Sequence, residues 1–498
     1  MSAMEWTAME LARITGGRIA SGAPDTRIRG ISHDTRTLKP DDLYIALRGE
    51  RFDGHIFLAD AAEKGAAAVL VDEMFTTGPG ETASTGAGSA DGDPAPVRII
   101  CPDTLRALGA IAADWRSRFS VRVAAVTGSN GKTTTRAMIG AVLSRRYAVL
   151  ETEGNLNNEI GLPRTLLGLG DHHEWAAVEL GMNHAGEIRR LTRICRPDIA
   201  VITNIGPAHI GGLGSLEAIA AAKAELLEET PSGGLAVLNR DDPYFGFLAG
   251  RAVKAGLRVV SVGFSPAADI HAVDPFPDAG GLAFRVRFDG REFPARIGFS
   301  APFMIVNALA AVAAGREAGL YASIDSSGDS SGDASGMALG LAAAGPVGGR
   351  MCIRDTARGI RLVDDTYNAN PASAAAALSS LGDMMAETGG GRIFAVLGEM
   401  LELGDHAPGL HRETGRKAAE SGVYWLAALG PHAPDLLAGA RGGGMPPDRL
   451  VPLTDHGEGV DRLKSELRAG DLLLVKGSRG WKMENILGPV VEWAEAFE

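Results

Sequence analysis

Val121-Arg-Val-Ala-Ala-Val-Thr-Gly-Ser-Asn-Gly-Lys-Thr-Thr-Thr135 decides how the chain is read. The apolar run from Val121 to Val126 predicts a buried strand. A glycine turn, Gly128 to Gly131, follows it. Ala137, Met138, Ile139, Ala141, Val142 and Leu143 then continue with the spacing of a helix. Strand, glycine turn, Lys-Thr and helix form the layout of a phosphate-binding loop. Glycine lets the backbone fold tightly enough to aim several N–H groups at one anion, and the helix N-terminus adds partial positive charge. Gly128, Ser129, Asn130, Gly131 and Thr134 would cradle the nucleotide. Lys132 would reach its outer phosphates, and the Thr133 hydroxyl would sit on Mg²⁺. The general pattern begins with a further glycine, whose place is taken here by Val126. The plain alternative is an ordinary strand-turn-helix. The reading that fits better is a nucleoside triphosphate enzyme.

Working outward, 498 residues are too many for one core and predict about two to four domains. Hydrophobic content of 45% with 22% charged residues describes a soluble globular chain. Its 49 basic and 61 acidic residues leave a formal charge of −12, which argues against nucleic acid or an anionic membrane as partner. No apolar run reaches the roughly 18 residues of a membrane span, and no signal peptide is evident at Met1. The three cysteines, Cys101, Cys195 and Cys352, show no metal-ligand spacing. A reducing cytoplasm, no membrane insertion and a monomer are the expectations.

Upstream of the phosphate loop, residues 1–117 alternate short strands and helices, with a helix expected over Trp6 to Ile14. Residues 118–345 alternate strands and helices as a mostly parallel sheet does. Residues 346–498 restart with apolar runs, each ending in a polar turn before a helix, and predict a Rossmann-like αβ domain. Gly345-Pro-Val-Gly-Gly349 is a candidate hinge. Thr76 to Pro96 and Ser323 to Gly336 are rich in small and polar residues and read as insertions. Replacing Thr76–Pro96 by a short Gly/Ser linker should leave melting temperature and activity nearly unchanged. A large loss of either, measured by calorimetry and turnover, would show that the segment packs or binds.

Several residues could do chemistry. Glu179 ends an apolar strand, where a carboxylate can hold Mg²⁺ or simply face water. His209 follows another strand and could be a ligand or a structural histidine. Lys223 sits among apolar helix neighbours, where a solvated lysine is the usual outcome. Gly154-Asn-Leu-Asn-Asn-Glu-Ile-Gly161 puts Asn155, Asn157 and Asn158 between glycines. They suit a polar substrate or a turn of side-chain-to-backbone hydrogen bonds. Asp364-Asp-Thr-Tyr-Asn-Ala-Asn-Pro371 has the same character. Lys476-Gly-Ser-Arg479 places two cations at a strand end.

Taken together, these motifs resemble the Mur ligases of bacterial peptidoglycan synthesis, and within them the members that add the terminal dipeptide. Ser32-His-Asp-Thr-Arg36, Ala46 to His55, Leu397-Gly-Glu-Met-Leu-Glu-Leu-Gly404 with His411, and Val475 to Arg479 carry the resemblance over nearly the whole chain. It implies an α/β protein of three domains: an N-terminal αβ UDP-sugar-binding domain, a central P-loop domain, and a C-terminal domain for the incoming dipeptide. It implies ATP-driven joining of D-alanyl-D-alanine to UDP-N-acetylmuramoyl-tripeptide through an acyl phosphate. Lys132 and Thr133 would hold phosphates and Mg²⁺, with Glu179 and His209 as metal ligands. Lys223, in Ala222-Lys-Ala-Glu225, would carry a carbamate for a second Mg²⁺, so that Lys132, Lys223 and His209 form the catalytic set. Asn307, Arg350 and Asp364 fall at nucleotide positions. Ser32, Arg48, Phe52, Asp53, Gly54 and His55 fall where the UDP-sugar binds, and Asn155, Asn157 and Asn158 near its peptide. Asn368, Asn370, Lys476, Ser478 and Arg479 fall on the dipeptide side. One position departs. Where the family carries His-Asn ahead of the asparagine at 307, this chain has Phe303-Met304, which predicts repacked adenine contacts.

Rival readings have distinct signatures. The ligase adding the third residue carries an Asp-Asn-Pro-Arg motif, which does not occur here. Folylpolyglutamate synthetases place the phosphate loop near the N-terminus. A P-loop switch protein would have no use for Asn155–Asn158 or a third domain. A binding protein without activity would not need Lys132, Thr133 and Glu179 together.

Overall fold

The computed structural model describes residues 4–49, 52–77, 95–278, 281–320, 331–386 and 390–496. Two compact units share them. The first comprises Met1–Val123, Ala148–Leu180 and Arg189–Arg196, and the second Ala124–Tyr147, Gly181–Ile188 and Pro197–Glu498.

The first unit is built on a five-stranded sheet in the order Arg18–Ser21, Val97–Cys101, Ala68–Asp72, Asp42–Ile45, Gly30–Ser32. Only the Arg18–Ser21 pairing is antiparallel. The two central parallel strands, Ala68–Asp72 and Asp42–Ile45, are buried along their whole length, as parallel strands covered on both faces must be. Helix Thr104–Ser117 starts where the Asp103 carboxylate accepts from the N–H groups of Leu105 and Arg106, at 2.9 and 3.0 Å. Its Trp115 packs against Trp6, with ring centroids 5.3 Å apart. The helix expected over Trp6–Ile14 begins two residues later. Trp6 and Thr7 instead pair with Ile28 and Arg27, and Thr7 and Glu10 cap helix Ala8–Ile14 reciprocally. Val149–Glu151 and Trp175–Glu179 form a parallel pair in the same unit.

In the second unit, the strand of the phosphate loop pairs in parallel with Ile199–Ile202 from Ala124 onward. Leu235–Asn239, Arg258–Gly263 and Ile270–Asp278 continue the parallel run. Gly281–Phe288 and Arg291–Ile297 extend it antiparallel. With that change the strands turn from apolar runs to alternation. On Gly281–Phe288, Phe284, Val286 and Phe288 are buried while Arg285 and Arg287 face water. A second sheet runs Cys352–Asp355, Arg361–Asp365, Leu472–Lys476, Ile393–Gly398, Trp425–Leu429, Leu450–Leu453. All but its first pairing are parallel. The carboxyl ends of Arg361–Asp365, Ile393–Gly398 and Leu472–Lys476 therefore present their loops along one edge.

Most of the insertion expected at Thr76–Pro96 lies outside the described residues. The one expected over 323–336 is corrected at its end. Residues 323–330 are not described, but a helix runs from Ser331 to Ala343. Met337 and Leu341 are fully buried on it, and Gly340 comes within contact of Val142 in the phosphate-loop helix. Packing of these residues outweighs the low helix propensity of the Ser/Gly-rich start. No helix among the described residues is long and apolar enough to cross a membrane.

Candidate active site

The phosphate loop is tighter than its sequence pattern suggests. Val126 is fully buried in the strand and takes no part in the turn. Gly128 adopts φ +151°, and a Cβ there would stand 1.8 Å from the Thr203 hydroxyl, so glycine is required. Gly131 caps helix Lys132–Leu143 at φ +79°, with a Cβ position 2.8 Å from the Asn307 side-chain oxygen. Two of the amides expected to face phosphate are engaged within the protein. Ser129 N–H donates to the Asn204 carbonyl (3.0 Å), and Asn130 N–H donates to the Asn204 side chain (3.0 Å). The Ser129 hydroxyl receives Gly206 N–H and donates to Gly206 C=O, both at 2.8 Å. Ser129 and Asn130 therefore fix the loop to the strand end at Thr203–Gly206. The first turn of the helix remains the anion-facing part, since its first backbone bond is Thr135 N–H to Gly131 C=O. Lys132 curls over the loop, with its Nζ 3.0 Å from the Gly128 carbonyl. Thr133 and Thr134 are each 2% exposed.

Lys223 is not a solvated lysine. Helix Leu216–Glu229, capped by Ser215, buries both flanks of that residue, and Lys223 itself is 2% exposed. Among the described residues no hydrogen bond or ion pair engages its ammonium. Burial, and then the nearby Lys132 charge, push its pKa well below the usual lysine value. A buried amine beside the Lys132 charge is therefore held toward its neutral form.

His209 caps the short helix Ile210–Leu213 in the left-handed region, at φ +61°. Its Nδ1 lies against the Glu402 carboxylate. The neighbouring imidazole holds the Glu402 carboxyl below its usual range, against the opposing effect of burial. Glu402 is also left-handed, at φ +65°, and its carbonyl accepts Gly211 N–H at 3.0 Å. Each such non-glycine residue costs about 1–3 kcal/mol of strain. A second link runs from Asn370 Nδ2 to the Asn130 side-chain oxygen, at 2.7 Å. Loops of the second sheet thus touch both the phosphate loop and the His209 turn. Sequence reading gave Glu402 no role; it stood in a quoted motif without a partner.

The remaining residues of the second unit divide by orientation. Asn370 caps helix Pro371–Ala386 through Ser373 while reaching Asn130. Asn368 and Arg479 are exposed. Lys476, expected to meet substrate, is 2% exposed; it bonds the Asp365 carboxylate (2.5 Å) and the Asn368 carbonyl (2.9 Å). Ser478 is likewise turned inward, accepting from Leu401 N–H and donating to the Ala369 carbonyl. Both shape the loop that carries Asn368. Asp364 accepts from the N–H and hydroxyl of Thr366. Arg350 lies 4.2 Å over the Tyr367 ring, and its buried Nε has no hydrogen-bond partner among the described residues, which leaves a donor for an anion. Asn307 is buried, and its amide meets the Met304 sulfur at 3.5 Å, the place where the family's polar pair is absent.

In the first unit, Arg48 stands 3.4 Å from both Asp53 and Asp72, and Phe52 is half exposed. His55 is buried. Its Nδ1 meets Asp53 at 2.6 Å and its Nε2 accepts Asp72 N–H at 3.3 Å, while the Gly54 carbonyl receives the Tyr44 hydroxyl. His55 and Gly54 thus support the loop, and Arg48 and Phe52 face outward. The Ser32 hydroxyl is bound to the backbone of Asp34. Asn158 caps the turn before helix Gly161–Leu167. Asn157 donates to Asn155 (2.8 Å) and to the buried Glu179 carboxylate (2.7 Å).

No three His, Cys, Asp or Glu residues cluster as a metal cage among the described residues. A Mg²⁺ ion would therefore be held largely by nucleotide phosphates and water, with single protein ligands such as Thr133 and His209 added, as is common for this ion. Lys132, the first turn of its helix and the orphaned Arg350 donor fit the anions that would bring it.

A phosphate loop on a mostly parallel sheet, joined to a second αβ sheet whose loops reach it, defines a nucleotide-dependent enzyme assembled from distinct domains. Three family profiles match the chain in series. "Mur ligase family, catalytic domain" covers residues 27–116, "Mur ligase middle domain" 126–315, and "Mur ligase, glutamate ligase domain" 349–479. The chain belongs to the Mur ligase family, whose three-domain architecture it has, and is an ATP-dependent ligase forming a C–N bond. It is 34% identical to the UDP-N-acetylmuramoyl-tripeptide–D-alanyl-D-alanine ligase of Bacillus subtilis, covering 98% of both chains. It is 38% identical to the ligase of that name from Synechocystis, covering 91% of this chain and 90% of the other. The crystal structure of MurF from Acinetobacter baumannii superposes with a TM-score of 0.83 at 30% identity, covering 99% of this chain and 100% of the other.

Proposed function

We propose that this protein joins D-alanyl-D-alanine to UDP-N-acetylmuramoyl-tripeptide in the cytoplasm, acting as a monomer and releasing ADP and phosphate. The buried Lys223 amine, within reach of the Lys132 charge, carries the chemical part of this reading. The names of the similar ligases carry the substrates. We assign residues 1–117 to the UDP-sugar, 118–345 to ATP and 346–498 to the dipeptide. ATP supplies the phosphoryl group that activates the peptide carboxylate, and the dipeptide amine then displaces phosphate from the acyl carbon. Lys132 and the first turn of its helix neutralise the outer phosphates. Thr133 and His209 hold Mg²⁺, and Glu179 does so by its place in the family motif. The neutral Lys223 amine adds CO₂: an N–C bond forms, a proton leaves to solvent, and the carbamate anion stands opposite Lys132. Arg350 holds a nucleotide oxygen through its unpartnered Nε–H. Arg48 and Phe52 meet the UDP-sugar, Asn155 its peptide, and Asn368 and Arg479 the dipeptide.

The experiment is ADP release with each UDP-muramoyl peptide and each candidate amine. The tripeptide substrate with D-alanyl-D-alanine should give the fastest turnover. Turnover that needs a shorter muramoyl peptide or a single amino acid would reassign the protein within the family.

A further inference from the structure

Glu402 has two unusual properties together. It is a non-glycine residue held left-handed in an exposed turn, and its side chain points to another left-handed residue in a different segment. That other residue is His209, in the stretch matched by the middle-domain profile, whereas Glu402 lies in the stretch matched by the C-terminal one. The backbone bond from Gly211 N–H to the Glu402 carbonyl repeats the contact, so the carboxylate is delivered to His209 by two independent links. Gly211 and Gly404 approach so closely that a Cβ on Gly211 would stand 2.6 Å from Gly404 N, which leaves the two turns no room to slide.

A carboxylate held against Nδ1 favours the proton on that nitrogen and leaves the lone pair on Nε2. This is how a histidine is prepared to bind a cation. We infer that Glu402 is a positioning residue for His209, supplied by the C-terminal sheet, so that His209 becomes a competent Mg²⁺ ligand only when the two segments are docked. The inference rests on the reading of His209 as a metal ligand. It adds a physical reason for ATP chemistry to wait for closure. An undocked enzyme would lack the oriented imidazole and would spare the acyl phosphate from water.

The test compares Glu402→Ala, Glu402→Gln, His209→Ala and the Glu402→Ala/His209→Ala double variant. Two quantities are measured on each: Mn²⁺ binding to the ADP complex by electron paramagnetic resonance, and the Mg²⁺ concentration giving half-maximal ligation. Glu402→Ala should weaken Mn²⁺ binding and raise the Mg²⁺ requirement by about 10- to 100-fold, with the KM for the UDP-sugar substrate unchanged. Glu402→Gln, whose side-chain oxygen can still accept from Nδ1, should recover part of the loss. In the His209→Ala background, removing Glu402 should add nothing, because the carboxylate acts through the imidazole. Melting temperatures identify any variant that has lost its fold, and the glutamine variant keeps the test open if alanine does. Wild-type metal binding in Glu402→Ala, beside a clear loss in His209→Ala, would overturn this inference alone. Additive losses in the double variant would do the same. Wild-type metal binding in His209→Ala would overturn the metal-ligand reading, and the role of Glu402 with it.

Discussion

Replacing Lys223 by alanine is expected to cut ligation about a thousandfold, with part of the rate restored by a short carboxylic acid such as acetate or propionate. The loss corresponds to ~4 kcal/mol of transition-state stabilisation, the scale of one preorganised charge in a water-excluded site. The argument begins with burial. A lysine 2% exposed, with no hydrogen bond or ion pair among the described residues, is unstable as a cation. Burial and then Lys132 push its pKa down, which favours the neutral amine that CO₂ requires. Alanine removes the anion made on that amine, and a small carboxylate can occupy the gap. ¹³C-labelled bicarbonate should give a carbamate carbonyl resonance in the wild-type protein that is missing from Lys223→Ala. Full activity in the variant, with no such resonance in the wild type, would leave Lys223 as a buried structural lysine.

What could be read from the sequence follows from the range of the interactions involved. The phosphate loop was legible because glycine, lysine and threonine at fixed spacing determine it within a dozen residues. The antiparallel strands Gly281–Phe288 and Arg291–Ile297 carry an alternation of buried and exposed residues, whereas the parallel strands before them are apolar runs. Lys223 was legible only through family resemblance. Ala-Ala-Ala-Lys-Ala looks like a solvated helix face, and its burial is imposed by elements far away in the chain. Lys476 misled for the same reason. A lysine at a strand end suggests an exposed cation, but its partner Asp365 sits 111 residues earlier on the neighbouring strand. Ser129 and Asn130 were read as phosphate donors because local pattern cannot show that Asn204, 74 residues on, takes up the Asn130 amide. The helix at Ser331–Ala343 was hidden by its own composition. Its stability comes from Met337 and Leu341 in the core and not from its first turn. Glu402 left no local signal, since left-handed backbone is usually announced by glycine, asparagine or aspartate and here falls on glutamate.

Lys132→Ala is expected to lower kcat/KM by about 10³-fold or more while leaving the melting temperature almost unchanged. The Lys132 side chain is only partly buried and bonds to carbonyls of its own loop, Gly128 at 3.0 Å and Ser129 at 3.5 Å. These bonds stay within its own loop, so the chief loss is a charge at the nucleotide site. Arginine should not restore the rate, because a planar guanidinium cannot replace a compact ammonium inside this tight turn. The variant also tests whether Lys132 and Lys223 share one site. The Lys132 charge favours the neutral Lys223 amine, so its removal raises the Lys223 pKa and reduces the fraction able to take up CO₂. The same removal takes away a cation that would stabilise the carbamate once formed. Both effects act in one direction, and the labelled carbamate resonance should weaken in Lys132→Ala. Burial remains the larger cause of the low Lys223 pKa, so the resonance should not vanish. An inactive Lys132→Ala enzyme with an undiminished resonance would show that the two lysines act at separate places, and the account of a shared site would fall.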